Sequence, residues 1–508
     1  MALTDNTVIQ DRADRGKVSA AVGLVLVALA DALFFQQVLG INTFLFAMAV
    51  MAGILFSGSR RLTARTAVAL GGVSFVASAP LLEAPSLLGA LCSASGLALV
   101  ALIRSKLIPQ RRTALPFVLC RFALAAPARL VGDWRKHLVT RVSRNAGSRI
   151  ISRLAVWLVP SLLALIFLAL FTIANPLIEQ ALSNIDLAAV LRFCNPLRVA
   201  FWLTVAAAVW PMLRPRLTWR QRRPSPAEAP ADAAAGPLFG QAAVLRSLLV
   251  FNVLFAVQTL LDLIYLWGGA ELPDGMTHAE YAHRGAYPLI VTALLAGAFV
   301  LVVMRRNGPG ENSPVIRGLV HAWIGQNILL CISSILRLDL YVEVYSLTEL
   351  RVAAGIWMGL VAIGLALILL RILLRQSNEW LIATNLTVLA ATLYACAFVD
   401  FPALIARFNV QHSREFSGKG TPLDIDYLSS LGPSAVPALD AYIAALPPQA
   451  TEIDSARVAR DDLAAGFSGS ASGWRGWSYR GYRLEHYLSE HINVARPAEA
   501  DKNDRQEF

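Results

Sequence analysis

The chain has 508 residues, of which 56% are hydrophobic and 16% are charged, and its mean hydropathy is +0.55. This composition excludes an ordinary soluble globular domain and is typical of a protein that crosses a membrane several times. The net charge of +11 does not call for nucleic acid, because basic loops beside membrane spans are attracted to anionic lipids. We therefore expect membrane lipids, and no nucleic acid, among its partners.

Eleven apolar runs approach the length of about 20 residues that a helix needs to cross the hydrocarbon core. They lie near residues 18–39, 41–56, 66–82, 85–103, 153–173, 198–213, 243–267, 286–304, 316–336, 352–373 and 381–399. The second and third runs are the shortest candidates for a span. The sequence thus predicts an all-α, polytopic transmembrane helical bundle followed by a small, mostly helical soluble tail.

Lys and Arg are distributed unequally between alternate sides of these runs. With the N-terminus placed inside, 29 of them fall in inner segments, five in outer loops and 11 in the tail after residue 400. Cytoplasmic segments carry such an excess of positive charge, so we expect a cytoplasmic N-terminus. An odd number of spans then places the tail outside.

Composition shifts divide the chain into four segments. These are an N-terminal membrane half at 1–213, a Pro/Ala-rich cytoplasmic linker at 214–242, a C-terminal membrane half at 243–399 and a tail at 400–508. Within the first half, residues 104–153 mix Phe, Leu and Trp with many Arg and contain Pro116 and Pro127. Such a segment is expected to lie in the membrane interface, and the alternative is a docking surface for a cytoplasmic partner.

Motifs for metal, cofactor and known catalytic chemistry are missing from the sequence. There is no CxxC or His/Cys metal spacing, no HExxH, no G-x-S-x-G and no phosphate loop. Among the five cysteines, only Cys194 lies near the outer face, so no internal disulfide is expected there. We predict no cofactor, no metal and no assigned catalytic residue.

Two acidic residues lie inside predicted spans. Asp31 is about 21 Å along the helix from Lys17, and Asp262 is about 24 Å from Arg246, which places both in the outer half of the bilayer. A charged residue at the centre of a span costs roughly 2.5–3.5 kcal/mol on insertion scales, so such acids are functional or paired. For Asp31 the alternative is a hydrogen bond to Ser or Gln of another helix.

Further polar residues cluster where spans reach the outer face. Arg337, Tyr341 and Tyr345 are spaced for one stripe of a helix. We predict an outward-facing polar binding cavity formed by Asp31, Asp262, Glu280, Tyr281, Arg284, Arg337, Tyr341, Glu343, Tyr345, Glu349 and Arg351. The alternative is a charged collar of surface ion pairs that caps helix ends.

The tail ends in a stretch of alternating aromatic and basic residues, including Trp474, Trp477, Tyr479 and Tyr482. The pattern favours an aromatic, cationic helix that rests on the outer leaflet. Binding of a ligand by these residues is the alternative.

Several polar motifs of the second half resemble a known family. QTLLDLIYLWGGAELPDGMTHAEYAHRGAYPLIVTALLAG, RLDLYVEVYSLTELR and LDIDYLSSLGPSAVPAL are similar to the blocks of bacterial polytopic membrane proteins designated as domain of unknown function 4173. The resemblance covers roughly residues 240–445. It implies a bacterial polytopic membrane protein and carries no known activity. From the charge distribution and the number of apolar runs, we expect a multi-pass protein of the bacterial inner membrane with a periplasmic tail.

The sequence therefore favours a non-enzymatic sensor, transporter or envelope-assembly accessory that binds an unidentified periplasmic solute or lipid ligand. A membrane-embedded transferase or hydrolase acting on a lipid-linked substrate is the alternative, with Asp262 or Glu343 as general base and Arg337 or Arg284 holding a phosphate. A scaffold whose basic inner loops recruit protein partners is a third possibility.

Overall fold

The computed structural model describes residues 2–57, 62–109, 112–125, 195–215, 241–267, 313–418, 420–450, 452–470 and 473–491, and the single positions 132, 291 and 295. Every regular element in these ranges is helical. They cluster into two compact units, one comprising Met1–Trp219 with Gly473–Ser478, the other Arg220–Ser472 with Tyr479–Phe508.

Seven α-helices, most of them apolar, lie within the described residues of the first unit. They are α1 (Ala2–Phe34), α2 (Ile41–Phe56), α3 (Ala64–Ser78), α4 (Pro80–Glu83), α5 (Leu87–Arg104), α6 (Leu115–Leu124) and α7 (Pro196–Leu213). Its core joins α1, α2, α5 and α7 through side chains such as Leu26, Val50, Val100 and Leu213.

Small residues let α3 and α5 approach closely. A Cβ added at Gly96 would lie 2.2 Å from the Cβ of Ala77, so only glycine fits there. The buried hydroxyls of Ser78 and Ser93 are hydrogen-bonded at 2.8 Å between the same helices. Close packing and interhelical hydrogen bonds are the main attractions between helices in lipid, which offers them no hydrophobic driving force.

The described residues that precede the tail in the second unit form four long helices: α8 (Gln241–Leu261), α9 (Pro314–Tyr345), α10 (Glu349–Leu373) and α11 (Asn378–Cys396). A six-residue π-helical segment, Asp262–Trp267, extends α8. Leu248 of α8, Ile316, Val320 and Ile324 of α9 and Leu365 of α10 meet in a buried apolar cluster. Ser313 and Ser377 cap the first turns of α9 and α11 by accepting from backbone N–H groups.

Six helices among the described residues are long and apolar enough to cross a membrane: α5, α7, α8 with part of its π-helical extension, α9, α10 and α11. Three shorter apolar helices, Val18–Phe34, Ile41–Phe56 and Ala64–Ser78, coincide with the first three expected runs. The expected runs at 153–173 and 286–304 lie outside the described residues. The described part of the chain is all-helical and has the apolar helices of a membrane protein, and the total of eleven spans stays a prediction.

The tail within the second unit is a packed helical domain. It consists of α12 (Phe401–His412), α13 (Arg414–Ser417), α14 (Ile425–Ser430), α15 (Val436–Ala445), α16 (Glu452–Ser470) and α17 (Tyr479–His491). Val410, Leu428, Leu439 and Tyr442 are buried in its core. Leu484 and Leu488 attach α17 to the same domain through Val436 and Ala464.

Asp440 joins three helices of the tail. Its carboxylate accepts from Arg460 of α16 at 3.0 Å and from the Tyr487 hydroxyl of α17 at 3.0 Å. Burial, reinforced by the bond to Asp440, raises the pKa of Tyr487 to about 12. The phenol therefore stays protonated and keeps donating to the carboxylate at physiological pH.

The tail packs against the turn between α9 and α10. Leu347 N–H donates to Asn409 Oδ1 at 2.7 Å, and Asn409 Nδ2 donates back to the Leu347 carbonyl at 2.9 Å. The Tyr427 hydroxyl accepts from Glu349 N–H at 3.2 Å. These bonds satisfy backbone groups of a turn whose Ser346 has a φ of 64°.

In the first unit, the segment Gly473–Ser478 packs into the turn between α1 and α2. Ile41 N–H donates to the Trp477 carbonyl at 2.6 Å, and Arg475 donates to Gln37 Oε1 at 3.3 Å. A Cβ at Gly40 would lie 2.3 Å from the carbonyl carbon of Gly476. Only glycine at position 40 leaves room for this segment.

We expect Gly40→Ala to displace Gly473–Ser478, because the added methyl group would meet backbone that cannot rotate away. Limited trypsin digestion of the purified protein should then cleave after Arg475 faster than in the wild type. Gly72→Ala is the matched control, since a Cβ there meets nothing within 4 Å. An unchanged cleavage rate in Gly40→Ala would contradict this packing.

Candidate functional site

A buried ion pair joins α8 to α9 in the second unit. Asp262 begins the π-helical segment, and its Oδ1 accepts from Arg337 Nη2 of α9. Asp262 is 1% exposed and Arg337 is 3% exposed. Gln258 Nε2 also donates to Asp262 Oδ1, at 2.9 Å. The sequence placed both charged residues in one site, and the structure brings them into contact.

The π-helical segment explains how two side chains of α8 reach α9 at this level. In a regular α-helix, residues five apart point about 140° away from each other. The i→i+5 hydrogen bonding of a π-helix instead brings such residues to one face. Asp262 meets Arg337, and Trp267 Nε1 donates to Ser333 Oγ at 3.4 Å. Single π-helical turns inside α-helices occur frequently at functional sites.

A second ion pair belongs to the first unit. Arg198 of α7 donates from Nε to Asp31 Oδ1 at 2.8 Å and from Nη2 to Asp31 Oδ2 at 2.5 Å. Trp202 Nε1 donates to Asp31 Oδ1 at 2.9 Å, and the Arg198 guanidinium lies 4.9 Å from the Phe35 ring. The partners of Asp31 are thus an arginine and a tryptophan, in place of the Ser or Gln considered from the sequence.

Arg198 and Trp202 were missing from the predicted site, although the sequence contains a signal for them. They are spaced i, i+4 at the outer start of an apolar run, which puts both on one face of α7 at the depth estimated for Asp31. The convergence of Asp31 with Asp262, Glu343 and Arg337 in one outward site stays a prediction.

The two tyrosines of the predicted stripe associate with a different arginine. The Arg351 guanidinium lies 4.6 Å from the Tyr341 ring and 6.0 Å from the Tyr345 ring. It also donates to the carbonyl oxygens of Tyr345 and Ser346. Arg351 therefore caps the C-terminal end of α9, where a cation is favoured by the helix dipole.

The remaining predicted residues are placed as follows. Glu343 and Glu349 are exposed, and Glu349 is the first residue of α10. Glu280, Tyr281 and Arg284 lie outside the described residues. In the part of the chain that the structure describes, no group of three or more His, Cys, Asp or Glu side chains could hold a metal ion.

We expect Asp262→Asn to lower the free energy of unfolding by about 3–5 kcal/mol, because it removes the carboxylate that Arg337 contacts while the Arg337 charge stays buried. The double variant Asp262→Asn/Arg337→Gln buries no charge and should regain most of that loss. Thermal midpoints of the detergent-purified proteins measure both effects. Asp31→Asn is the comparison and should cost less, because the Arg198 side chain is 46% exposed. A double variant no more stable than Asp262→Asn would contradict this account.

No curated protein and no solved structure matches the chain. A family model described as Domain of unknown function (DUF4153) matches residues 65–442. The expectation of an uncharacterised family is confirmed, but the number 4173 has to be corrected to 4153, and the match extends well into the first membrane half. Because this model covers more than half of the sequence, the chain belongs to the DUF4153 family.

Proposed function

We propose that this protein is a non-enzymatic, multi-pass protein of the bacterial inner membrane that binds a periplasmic solute or lipid and changes conformation around the Asp262–Arg337 pair. Its role would be that of a sensor, a transporter or an accessory to envelope assembly. The observation that carries the proposal is the burial of both charges between α8 and α9.

A buried ion pair is poor evidence for stability, since apolar residues of similar volume often stabilise a protein as much or more. Inside a membrane, charged residues mark pathways and moving parts far more often than structural supports. The adjoining π-helical segment supports a movable element, because it departs from regular α-helical hydrogen bonding at the position of Asp262. A ligand could reach the pair once α8 and α9 separate, and its binding would favour that open state.

The orientation is supported by contacts within each unit. Segments in contact lie on the same side of a membrane, so Gly473–Ser478 shares a side with the α1–α2 turn, and α12 shares a side with the α9–α10 turn. The excess of Lys and Arg lies on the opposite side of the apolar runs, so we expect both turns to lie outside. Ten of the eleven expected runs lie between Gly40 and Gly473. Ten crossings return the chain to the side from which it started, as the contact between Gly473–Ser478 and the α1–α2 turn requires.

The enzymatic alternative receives less support. Asp262 Oδ1 already accepts from Gln258 and Arg337, and a general base needs access to a substrate proton. A carboxylate that is 1% exposed lacks that access in this conformation.

Reporter fusions test the orientation. A fusion after Arg375 should report the cytoplasm, and one after His412 should report the periplasm, because α11 crosses the membrane between them. Alkaline phosphatase and green fluorescent protein give opposite responses to the two sides and serve as mutual controls. A cytoplasmic signal after His412 would overturn the orientation.

The function is tested with the double variant Asp262→Asn/Arg337→Gln in a deletion strain that shows an envelope-stress phenotype. We expect normal amounts of the variant in the membrane and no complementation, because the neutral pair keeps the packing and loses the charges that a ligand would exchange. Asp31→Asn/Arg198→Gln is the matched control and should complement. Full complementation by the variant at positions 262 and 337 would show that this pair is only structural.

A further inference from the structure

Polar residues line the contact between α8 and α9 from the Asp262–Arg337 pair down to the middle of the helices. We call this contact the seam. On α9, Gln326, Ser333 and Arg337 are spaced i, i+7 and i+11, and therefore share one stripe. On α8, Asn252 and Thr259 share a stripe two turns apart, and the π-helical segment begins at Asp262. The helices run in the same direction, since Asn252 contacts Leu319 and Asp262 contacts Arg337.

Asn252 and Gln326 at the deep end of the seam, and the adjacent Asn327 of α9, share an unusual hydrogen-bonding state. Their nitrogens donate to backbone carbonyls: Asn252 to Leu248 at 2.8 Å and Leu319 at 3.1 Å, Gln326 to Asn252 at 3.3 Å, and Asn327 to Trp323 at 2.7 Å. Their oxygens Asn252 Oδ1, Gln326 Oε1 and Asn327 Oδ1 are buried and have no hydrogen-bond partner among the described residues.

Unpartnered buried acceptors need an explanation, because a buried oxygen without a hydrogen bond loses its hydration and gains nothing in return. Asn327 is 0% exposed, so lipid headgroups and bulk water cannot satisfy its oxygen from the protein surface. Gln326 lies about 17 Å below Arg337 along α9, close to the middle of the bilayer. A donor has to reach these oxygens along the seam.

The opposite end of the seam is closed by apolar packing. Phe251 stacks on Trp323 with ring centroids 5.1 Å apart, and Leu248, Ile316 and Val320 are buried beside them. Polar lining above and an apolar seal below are the features of a channel that reaches only halfway across the membrane.

We propose that the seam is a water-lined half-channel open to the outer face, and that its three amide oxygens bind a small ammonium-type cation. The nitrogens of the three amides already donate to backbone carbonyls, and only their oxygens can accept further hydrogen bonds. The site therefore favours a ligand with several hydrogen-bond donors. A cationic donor forms stronger hydrogen bonds to such oxygens than a neutral one does. The inference rests on the proposed function and names the ligand class that would enter once the Asp262–Arg337 pair opens.

Cysteine substitutions in the full-length protein, with Cys92, Cys120, Cys194, Cys331 and Cys396 replaced by alanine, test the half-channel. Ser333→Cys and Gln326→Cys face the seam, whereas Ile332→Cys and Leu329→Cys occupy positions that are 38% and 43% exposed on the surface of α9. A cationic methanethiosulfonate is added outside sealed right-side-out vesicles. The seam positions should react at least about tenfold faster, because a thiol ionises in water and not in lipid. Equal rates at Ser333→Cys and Ile332→Cys would overturn the half-channel.

Two further measurements test the ligand class. A cationic reagent should modify Gln326→Cys faster than an anionic reagent of the same size, and methylammonium in the bath should slow that reaction. Adding Asn327→Leu, which removes one amide oxygen, should abolish the protection. A faster anionic reagent, or no protection by methylammonium, would overturn the cation site.

The same labelling in the Asp262→Asn/Arg337→Gln background separates this inference from the proposed function. Labelling of Ser333→Cys that rises in the neutral variant supports a pair that gates the seam. If labelling stays fast and this variant complements fully, the half-channel is supported and the functional role of the ion pair is rejected. Slow labelling in a variant that fails to complement rejects the half-channel alone.

Discussion

Hydrocarbon offers no hydrogen-bond partners, so a charged group inside this chain has to find its partner within the chain. Asp262 and Arg337 meet that requirement for each other, and in doing so they fix the register of α8 against α9. A shift of one residue along either helix would separate the two buried charges, at a cost of several kcal/mol. The apolar side chains around Leu248 and Val320 could slide at lower cost, so the ion pair specifies the alignment that the apolar cluster stabilises.

The two ion pairs join the same types of side chain, but the free energy needed to break them differs because they differ in exposure. Arg198 clasps Asp31 with two hydrogen bonds, but the arginine side chain is 46% exposed. The exposed Arg198 side chain can be hydrated when the pair breaks, so breaking the pair costs little free energy. Arg337 is 3% exposed and cannot be hydrated in this way. Of these two pairs, the more buried one is therefore able to couple a change in charge to a change in helix packing.

Hydropathy alone predicted most of the membrane helices, because apolar length is a local property of the chain. The sequence also grouped Asp262 with Arg337, from the estimated depth of the acid and the position of the arginine at the end of an apolar run. It could not predict which arginine each acidic or aromatic side chain contacts. Arg351 caps α9 and contacts Tyr341 and Tyr345, which were expected on one stripe with Arg337. This contact depends on the turn at Ser346, and helical periodicity does not predict the geometry of a turn. The packing of Gly473–Ser478 against Gly40 depends on residues more than 400 positions apart, and no local pattern reports it.

The tail shows how a packed helical domain can constrain the apolar helices that precede it in the chain. Asn409 holds both backbone groups of Leu347, and Tyr427 holds Glu349 N–H, so the start of α10 is fixed to the tail by neutral hydrogen bonds. Arg351 fixes the end of α9 from the other side of the same turn. A movement that separates α9 from α8 therefore has to carry this turn with it, or break several hydrogen bonds worth about 1 kcal/mol each. Because the tail core is packed around the helix that carries Asn409, such a movement reaches the tail domain as a displacement of α12, which is the coupling that the proposed sensor or transporter role requires.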